Sequence, residues 1–295
     1  MRTVYLGTSD FAVHVLRRLA DSPHRPALVI TRPDRPKGRG RKLQAPPVAD
    51  AARLLGLPLA QPDSVNSEEA REQIAAVRPS EVVICAFGAL IKEPLLSDHP
   101  MLNVHPSLLP RWRGAAPIER AIEAGDETTG VCIMRPVAEM DAGPVCLCQE
   151  LPIGPEDDYG SMSRKLAGAG GDLLVKVLDE GTPCRPQPSD GIVEAPKISA
   201  EDRRLDPARP GLELERLVRA LNPHVGTWID LPNGDRLGVR RARAAAEGAA
   251  PGVLARDPDG RLMYGSLELT EVQPSGGRAM EASAWLRGQG ARIVG

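Results

Sequence analysis

Neither sign of charge dominates this 295-residue chain: 37 basic residues stand against 39 acidic ones, for a formal net charge of −2. A chain-wide basic field is therefore excluded, and any contact with nucleic acid must come from local patches. Lysine is scarce, six of the basic residues, with arginine supplying the rest. Beside abundant alanine, that bias fits GC-rich coding and is not by itself a sign of phosphate binding. Long apolar runs are missing too. The longest, 82–91, falls well short of the ~20 residues a membrane-spanning helix needs. The opening residues, Met1-Arg2-Thr3-Val4-Tyr5-Leu6, enter a strand pattern at once and lack signal-peptide shape. The five cysteines, at 85, 132, 146, 148 and 184, show no metal-ligand spacing, so no metal is expected. Cys146 and Cys148 would share one strand face and read as small buried hydrophobes rather than part of a disulfide framework. The expectation is a cytoplasmic protein with no membrane contact. The turn after the first strand, Gly7-Thr8-Ser9-Asp10-Phe11-Ala12, lacks the second and third glycines of a dinucleotide-binding fingerprint, which argues against a nicotinamide-dependent oxidoreductase.

What is present is an alternation. Apolar strand patterns at 2–6, 27–31, 58–60, 81–86 and 101–104 are separated by amphipathic helix patterns at 10–19, 48–55 and 66–77. In the last of these, Asn66 and Glu69 are spaced as a capping box. Such alternation predicts an α/β domain with a parallel sheet and helices on both faces. Two more strands are predicted at 129–135 and 144–150. A helix at 161–178 contains Gly168-Ala169-Gly170-Gly171, small residues suited to close helix packing. The segment 182–210 is rich in Pro, Gly and charge, and divides the chain into 1–188, a linker 189–208, and 209–295. Beyond it, Leu214, Leu217, Val218 and Leu221 mark one helix. Short strand patterns follow, with turn signals that include Asn233-Gly234, and predict a small OB-like β-barrel.

The chain is organised around 103–118, Asn-Val-His-Pro-Ser-Leu-Leu-Pro-Arg-Trp-Arg-Gly-Ala-Ala-Pro-Ile, which leads from a strand end into a helix start. Asn103 and His105 stand two apart on an extended backbone and so point to one side. That pairs an amide donor with a base titrating near neutrality. Asp141 lies in a Gly-flanked loop after a later strand. The string resembles the signature of the formyltransferases that use 10-formyltetrahydrofolate. With Arg-Trp-Arg-Gly-Ala-Ala-Pro-Ile it is most similar to the methionyl-tRNA formyltransferase branch of that family. The resemblance covers essentially the whole chain, most strongly 1–150. It implies a Rossmann-like catalytic domain at 1–188 and a tRNA-binding barrel at 209–295.

The same resemblance implies that Asn103, His105 and Asp141 are catalytic. His105 would remove the proton of the attacking amine, Asn103 would donate to the oxyanion, and Asp141 would orient the imidazole. It places the folate against Phe87, Gly88 and Leu90 after the core strand, and against Ser107, Leu108, Leu109 and Pro110. Apolar walls with backbone polar groups suit a flat heterocycle there. The run 33–43 sets Arg35, Lys37, Arg39, Arg41 and Lys42 among glycines. It matches an insertion that binds the acceptor arm of initiator tRNA in that branch and is generally absent from sugar- and ribonucleotide-acting relatives. In the C-terminal domain, Arg236 and Arg240 fall on one side of a strand and suit phosphate contact. The expected partners are 10-formyltetrahydrofolate and initiator methionyl-tRNA, bound by a monomer. The alternatives are a formyltransferase acting on an amino sugar nucleotide, and a tRNA-binding protein without catalysis. Deleting 35–42 separates the methionyl-tRNA enzyme from the sugar-nucleotide one. Loss of these phosphate-neutralising charges should lower transfer to methionyl-tRNA by roughly tenfold or more at physiological salt. A sugar-nucleotide enzyme would show no change in initial rate.

Overall fold

The structure, a computed structural model, describes residues 1–37, 42–245 and 253–290. The chain divides into two compact units. One is formed by Met1–Gly114, Thr128–Pro152 and Ser163–Glu194, the other by Ala115–Glu127, Ile153–Met162 and the chain from Ala195 onward.

The first unit opens with β1 (Thr3–Gly7), wholly buried, and α1 (Asp10–Ala20), which buries Phe11, Val15, Leu16 and Leu19 as its 3.6-residue pattern requires. Then come β2 (Pro26–Ile30), a small antiparallel hairpin of β3 (Arg35–Lys37) and β4 (Lys42–Gln44), α2 (Pro47–Leu54) and β5 (Leu59–Ala60). After α3 (Glu68–Val77), β6 (Glu81–Cys85), the short α4 (Leu95–Asp98) and β7 (Met101–His105) comes β8 (Arg111–Gly114). Next are β9 (Thr128–Met134), β10 (Val145–Pro152), α6 (Tyr159–Glu180), which belongs to this unit from Ser163 on, and β11 (Val193–Ala195), which pairs with β8 and ends at the boundary.

Seven of these strands form one sheet in the order β10-β9-β7-β6-β1-β2-β5. The five from β7 to β5 are parallel, as the alternation predicts, while β9 and β10 add an antiparallel edge. Strands β1 and β6 are buried along their whole length, which explains their unbroken apolar runs. One core gathers Val4, Leu6, Leu28, Ile30, Ile74, Val82 and Ile84. Because β2 lies on one side of β1 and β6 on the other, the strand order reverses beside β1. Sheets of this kind leave a crevice at the carboxyl ends of their strands at such a point.

Two local expectations need correction. The cap of α3 is Ser67, whose hydroxyl accepts from the Ala70 amide at 3.3 Å. Asn66 instead donates to the Leu90 carbonyl at 2.9 Å and accepts from the Lys92 amide at 2.8 Å, stapling the segment beyond β6. The cysteines are also not all free hydrophobes: Cys132 is bonded to Cys148 and Cys146 to Cys184, leaving Cys85 as the buried free thiol. Cys132 and Cys148 lie directly opposite on antiparallel β9 and β10, and Arg185 bridges Val145 beside the second bond. Sequence spacing hides both pairings because each partner sits on a different strand or segment.

In the second unit, α5 (Pro117–Ala124) and α7 (Gly211–Leu221) precede an antiparallel half-barrel. Helix α7 buries Leu214, Leu217, Val218 and Leu221. The sheet comprises β12 (Thr227–Asp230), β13 (Arg236–Ala244), β14 (Leu254–Arg256), β15 (Leu262–Tyr264), β16 (Leu267–Pro274) and β17 (Met280–Glu281). Its path is β12-β13-β16-β15-β14, with β17 also on β16. The hairpin expected at Asn233-Gly234 joins β12 to β13, with Gly234 at φ +84°. A final short helix, α8 (Ala282–Trp285), buries Trp285. Among the described residues no helix is long and apolar enough to cross a membrane.

The glycines of α6 behave as expected of small packing residues. A Cβ on Gly170 would come within 2.9 Å of Val104 Cγ1 and 3.0 Å of Val131 Cγ2, so the helix lies directly on β7 and β9. Exposed Gly168 would meet nothing. Gly168→Ala should therefore stabilise the protein by about 0.5–1 kcal/mol through helix propensity alone. Gly170→Val should destabilise it by about 1–3 kcal/mol through overpacking. Urea unfolding of the two variants checks both signs.

Candidate active site

Strand β7 pairs in parallel with β6 on one side and antiparallel with β9 on the other, matching Asn103 with Ile84 and Met134, and His105 with Cys132. The pleat puts Asn103 and His105 on the same side at the carboxyl edge of the sheet. His105 is buried, and its Nε2 lies 2.9 Å from the Trp112 carbonyl oxygen. A carbonyl can only accept, so Nε2 carries a hydrogen. In the neutral ring this leaves the lone pair on Nδ1. That atom stands 3.6 Å from Asp141 Oδ2.

Asp141 belongs to the loop between β9 and β10 and is largely buried, with only 15 % of its side chain exposed. Its Oδ2 accepts from the Gly114 amide at 2.9 Å, and its Oδ1 faces Asn103 Nδ2 at 3.4 Å. The three side chains expected from the sequence thus converge within one unit. The Trp112 carbonyl holds the imidazole at Nε2, and the carboxylate, expected to orient the ring, faces Nδ1 and is itself held by the backbone of β8. Asp141 has φ +50° and Trp112 φ +64°, left-handed conformations that non-glycine residues avoid. Each costs of order 1–3 kcal/mol, held in place by its surroundings. Trp112 packs its ring against Arg111 at 4.5 Å while its backbone turns toward His105.

The segment 86–91 leaves the carboxyl end of β6 beside this cluster. Ala86 has φ +42° and Gly88 φ +74°. Its carbonyls are pinned from outside: Thr8 Oγ1 donates to Phe87 at 2.7 Å, Arg32 Nη1 to Gly88 at 2.8 Å, and Asn66 to Leu90. Phe87 is buried, Leu90 is 54 % exposed, and open space surrounds the Cβ position of Gly88. In 107–110, buried Ser107 donates to the Arg111 carbonyl at 2.7 Å and fixes the bend. Leu108 packs down onto Gly130 of β9, and Leu109 and Pro110 are half-buried, joined by a cis peptide. Of the apolar residues expected here, Leu90 is exposed, Leu108, Leu109 and Pro110 are half-buried, and Phe87 is buried.

Two functional features escaped sequence reasoning. The first is the backbone of 112–114, whose carbonyl and amide hold His105 and Asp141; no side-chain pattern announces it. The second is Gln187, within the segment read as the approach to a linker. Its Nε2 donates to the carbonyls of Asp141 at 2.7 Å and Gly143 at 2.8 Å. Its Oε1 accepts from Arg113 Nε and Nη2 at 3.1 and 2.8 Å.

Three of the expected basic residues share the β3–β4 hairpin: Arg35 stands opposite Gln44 at its base and Lys37 opposite Lys42 at its turn end, with Arg35 and Lys42 exposed; Arg39 and Arg41 lie outside the described residues. In the other unit, Arg236 is exposed and stacks on Trp228 at 4.6 Å. Arg240 lies where β13 has a bulge between Val239 and Arg241, and its guanidinium donates to Gln273 Oε1 and Asn222 Oδ1. Gln273 pairs with Gly238, two residues from Arg236, as the expected shared face requires.

Comparison with known proteins accords with this geometry. Residues 1–178 match the formyl transferase family and residues 197–290 its C-terminal domain. A methionyl-tRNA formyltransferase of Cereibacter sphaeroides is 40% identical over 293 residues, which cover 98% of this chain and 96% of that protein. Two solved structures share the fold. HypX from Aquifex aeolicus, in complex with tetrahydrofolic acid, has a TM-score of 0.67 at 17% identity over 97% of this chain; it matches 47% of HypX, so the chain spans about half of that protein. The methionyl-tRNA formyltransferase from Clostridium thermocellum has a TM-score of 0.64 at 12% identity, covering 96% of this chain and 100% of that one. With its two domain matches and a full-length relative at this identity, the chain belongs to the formyl transferase family, on the branch of the methionyl-tRNA formyltransferases.

Proposed function

We propose that the chain transfers a formyl group from 10-formyltetrahydrofolate to the α-amino group of methionine esterified to initiator tRNA, in the cytoplasm where translation begins. The observation that carries this reading is the convergence of Asn103, His105 and Asp141, with His105 Nδ1 turned toward the carboxylate. Formyl transfer joins an amine nitrogen to a formyl carbon, so it needs a base for the amine proton and a donor for the oxygen that gains charge. His105 Nδ1 takes that proton. The resulting imidazolium keeps Nε2–H on the Trp112 carbonyl and presents Nδ1–H to Asp141. Asn103 Nδ2 donates to the developing oxyanion. As the bond to the departing nitrogen breaks, the imidazolium returns its proton there, leaving the formamide and a neutral histidine.

The residues at the edge of β6 fit a flat folate ring. Leu90 offers an apolar wall, Gly88 leaves room, and the carbonyls of Phe87, Gly88 and Leu90 are held rigid by side-chain donors. Arg35, Lys37, Arg39, Arg41, Lys42 and exposed Arg236 supply positive charge for the tRNA backbone.

The mechanism needs no covalent intermediate. Cys85, at the end of β6, is fully buried, and burial pushes its thiol up to about 12 despite a lowering contact with Tyr5. It therefore stays a neutral thiol at any working pH. Cys85→Ala should keep wild-type kcat within about twofold, since no bond is made to its sulfur. His105→Ala, Asn103→Ala and Asp141→Asn should each lower kcat by about 100-fold or more while folding normally. Initial rates of formyl transfer to methionyl initiator tRNA, with circular dichroism as the folding control, check all four. A near-normal rate in any of the last three removes that residue's role.

A further inference from the structure

We propose that Gln187 is a positioning residue for Asp141, holding the carboxylate at the distance from His105 that proton transfer uses. The proposal rests on the formyl-transfer reading of the site. Asp141 sits at φ +50°, a left-handed conformation uncommon outside glycine, on a loop with Met140 exposed beside it. Something must hold the loop there. Gly114 grips the carboxylate, but the backbone is gripped by Gln187, whose single amide group spans the carbonyls of Asp141 and Gly143. The amide cannot be reversed. Its partners on one side are carbonyls, which only accept, and on the other a guanidinium, which only donates.

Arg113 lies on β8 between Trp112, whose carbonyl orients His105, and Gly114, whose amide holds Asp141. By accepting from Arg113 and donating to the 141–143 loop, Gln187 ties together the two segments that set the His105–Asp141 separation. Its own seat is firm. Two residues earlier, Arg185 exchanges both backbone hydrogen bonds with Val145 at 2.8 and 2.9 Å, and Cys184 is bonded to Cys146. Both anchors lie at the start of β10, the strand that follows the loop.

The test uses the full-length enzyme and two substitutions. Gln187→Ala removes all four hydrogen bonds, whereas Gln187→Glu keeps a partner for Arg113 and loses only the donors to the loop. Both should lower kcat by about 10- to 100-fold, with KM for tRNA and for the folate within about twofold, because a displaced group near the chemistry costs rate rather than binding. Placed on Asp141→Asn, Gln187→Ala should add less than about twofold, since residues acting through one another do not sum. Wild-type kcat in Gln187→Glu would show that only the Arg113 contact matters and overturn the proposal. So would a Gln187→Ala loss that multiplies fully onto Asp141→Asn. An Asp141→Asn enzyme at wild-type rate would instead strike the reading of the site itself, and this proposal with it.

Discussion

The hydrogen bond between His105 Nε2 and the Trp112 carbonyl decides which atom of the site is basic. A carbonyl partner commits Nε2 to its hydrogen and leaves Nδ1 to exchange protons. Everything else in the site is arranged around that second nitrogen. Asp141 faces it, Asn103 stands two residues back on the same strand, and the parallel pairing of β6 with β7 brings the 86–91 segment to the same edge. The bond depends in turn on Trp112 adopting φ +64°, so a local backbone cost is converted into a defined tautomer.

Three non-glycine residues with left-handed φ, Ala86, Trp112 and Asp141, lie at this one edge of the sheet. Each is held by groups outside its own segment. Donors from Thr8, Arg32 and Asn66 fix the carbonyls after Ala86, and Gly114 and Gln187 fix Asp141. On the proposed reading, this rigid scaffolding preorganises the site, setting donor and base in place before the reacting groups arrive. The buried parallel sheet and α6, lying directly against Val104 and Val131, supply the rigidity beneath it.

Much of this was legible in the sequence, and the limits are physical ones. Residues whose role follows from periodicity were readable: the alternation placed the strands, the two-residue spacing put Asn103 and His105 on one face, and the small residues of α6 foretold its close packing. What depended on a distant partner was not. Asn66 looked like a cap because its spacing to Glu69 was right, yet Ser67 was one position better placed and Asn66 had long-range partners at Leu90 and Lys92. The cysteine pairs needed the β9–β10 register, and Gln187 needed the fold to bring a proline-rich stretch back onto the Asp141 loop. Arg240's bonds to Gln273 and Asn222 were likewise hidden, since both partners are distant in sequence.

The central claim is that a base, an oxyanion donor and a carboxylate at the sheet edge formylate the amine of methionyl initiator tRNA. The most direct measurement is formyl transfer from 10-formyltetrahydrofolate, followed side by side with methionyl initiator tRNA, methionyl elongator tRNA and a UDP-amino sugar as acceptors. The account predicts transfer selective for the initiator. Transfer only to the sugar nucleotide would contradict the assigned acceptor, and tRNA binding without transfer to any acceptor would contradict the catalytic role of the site.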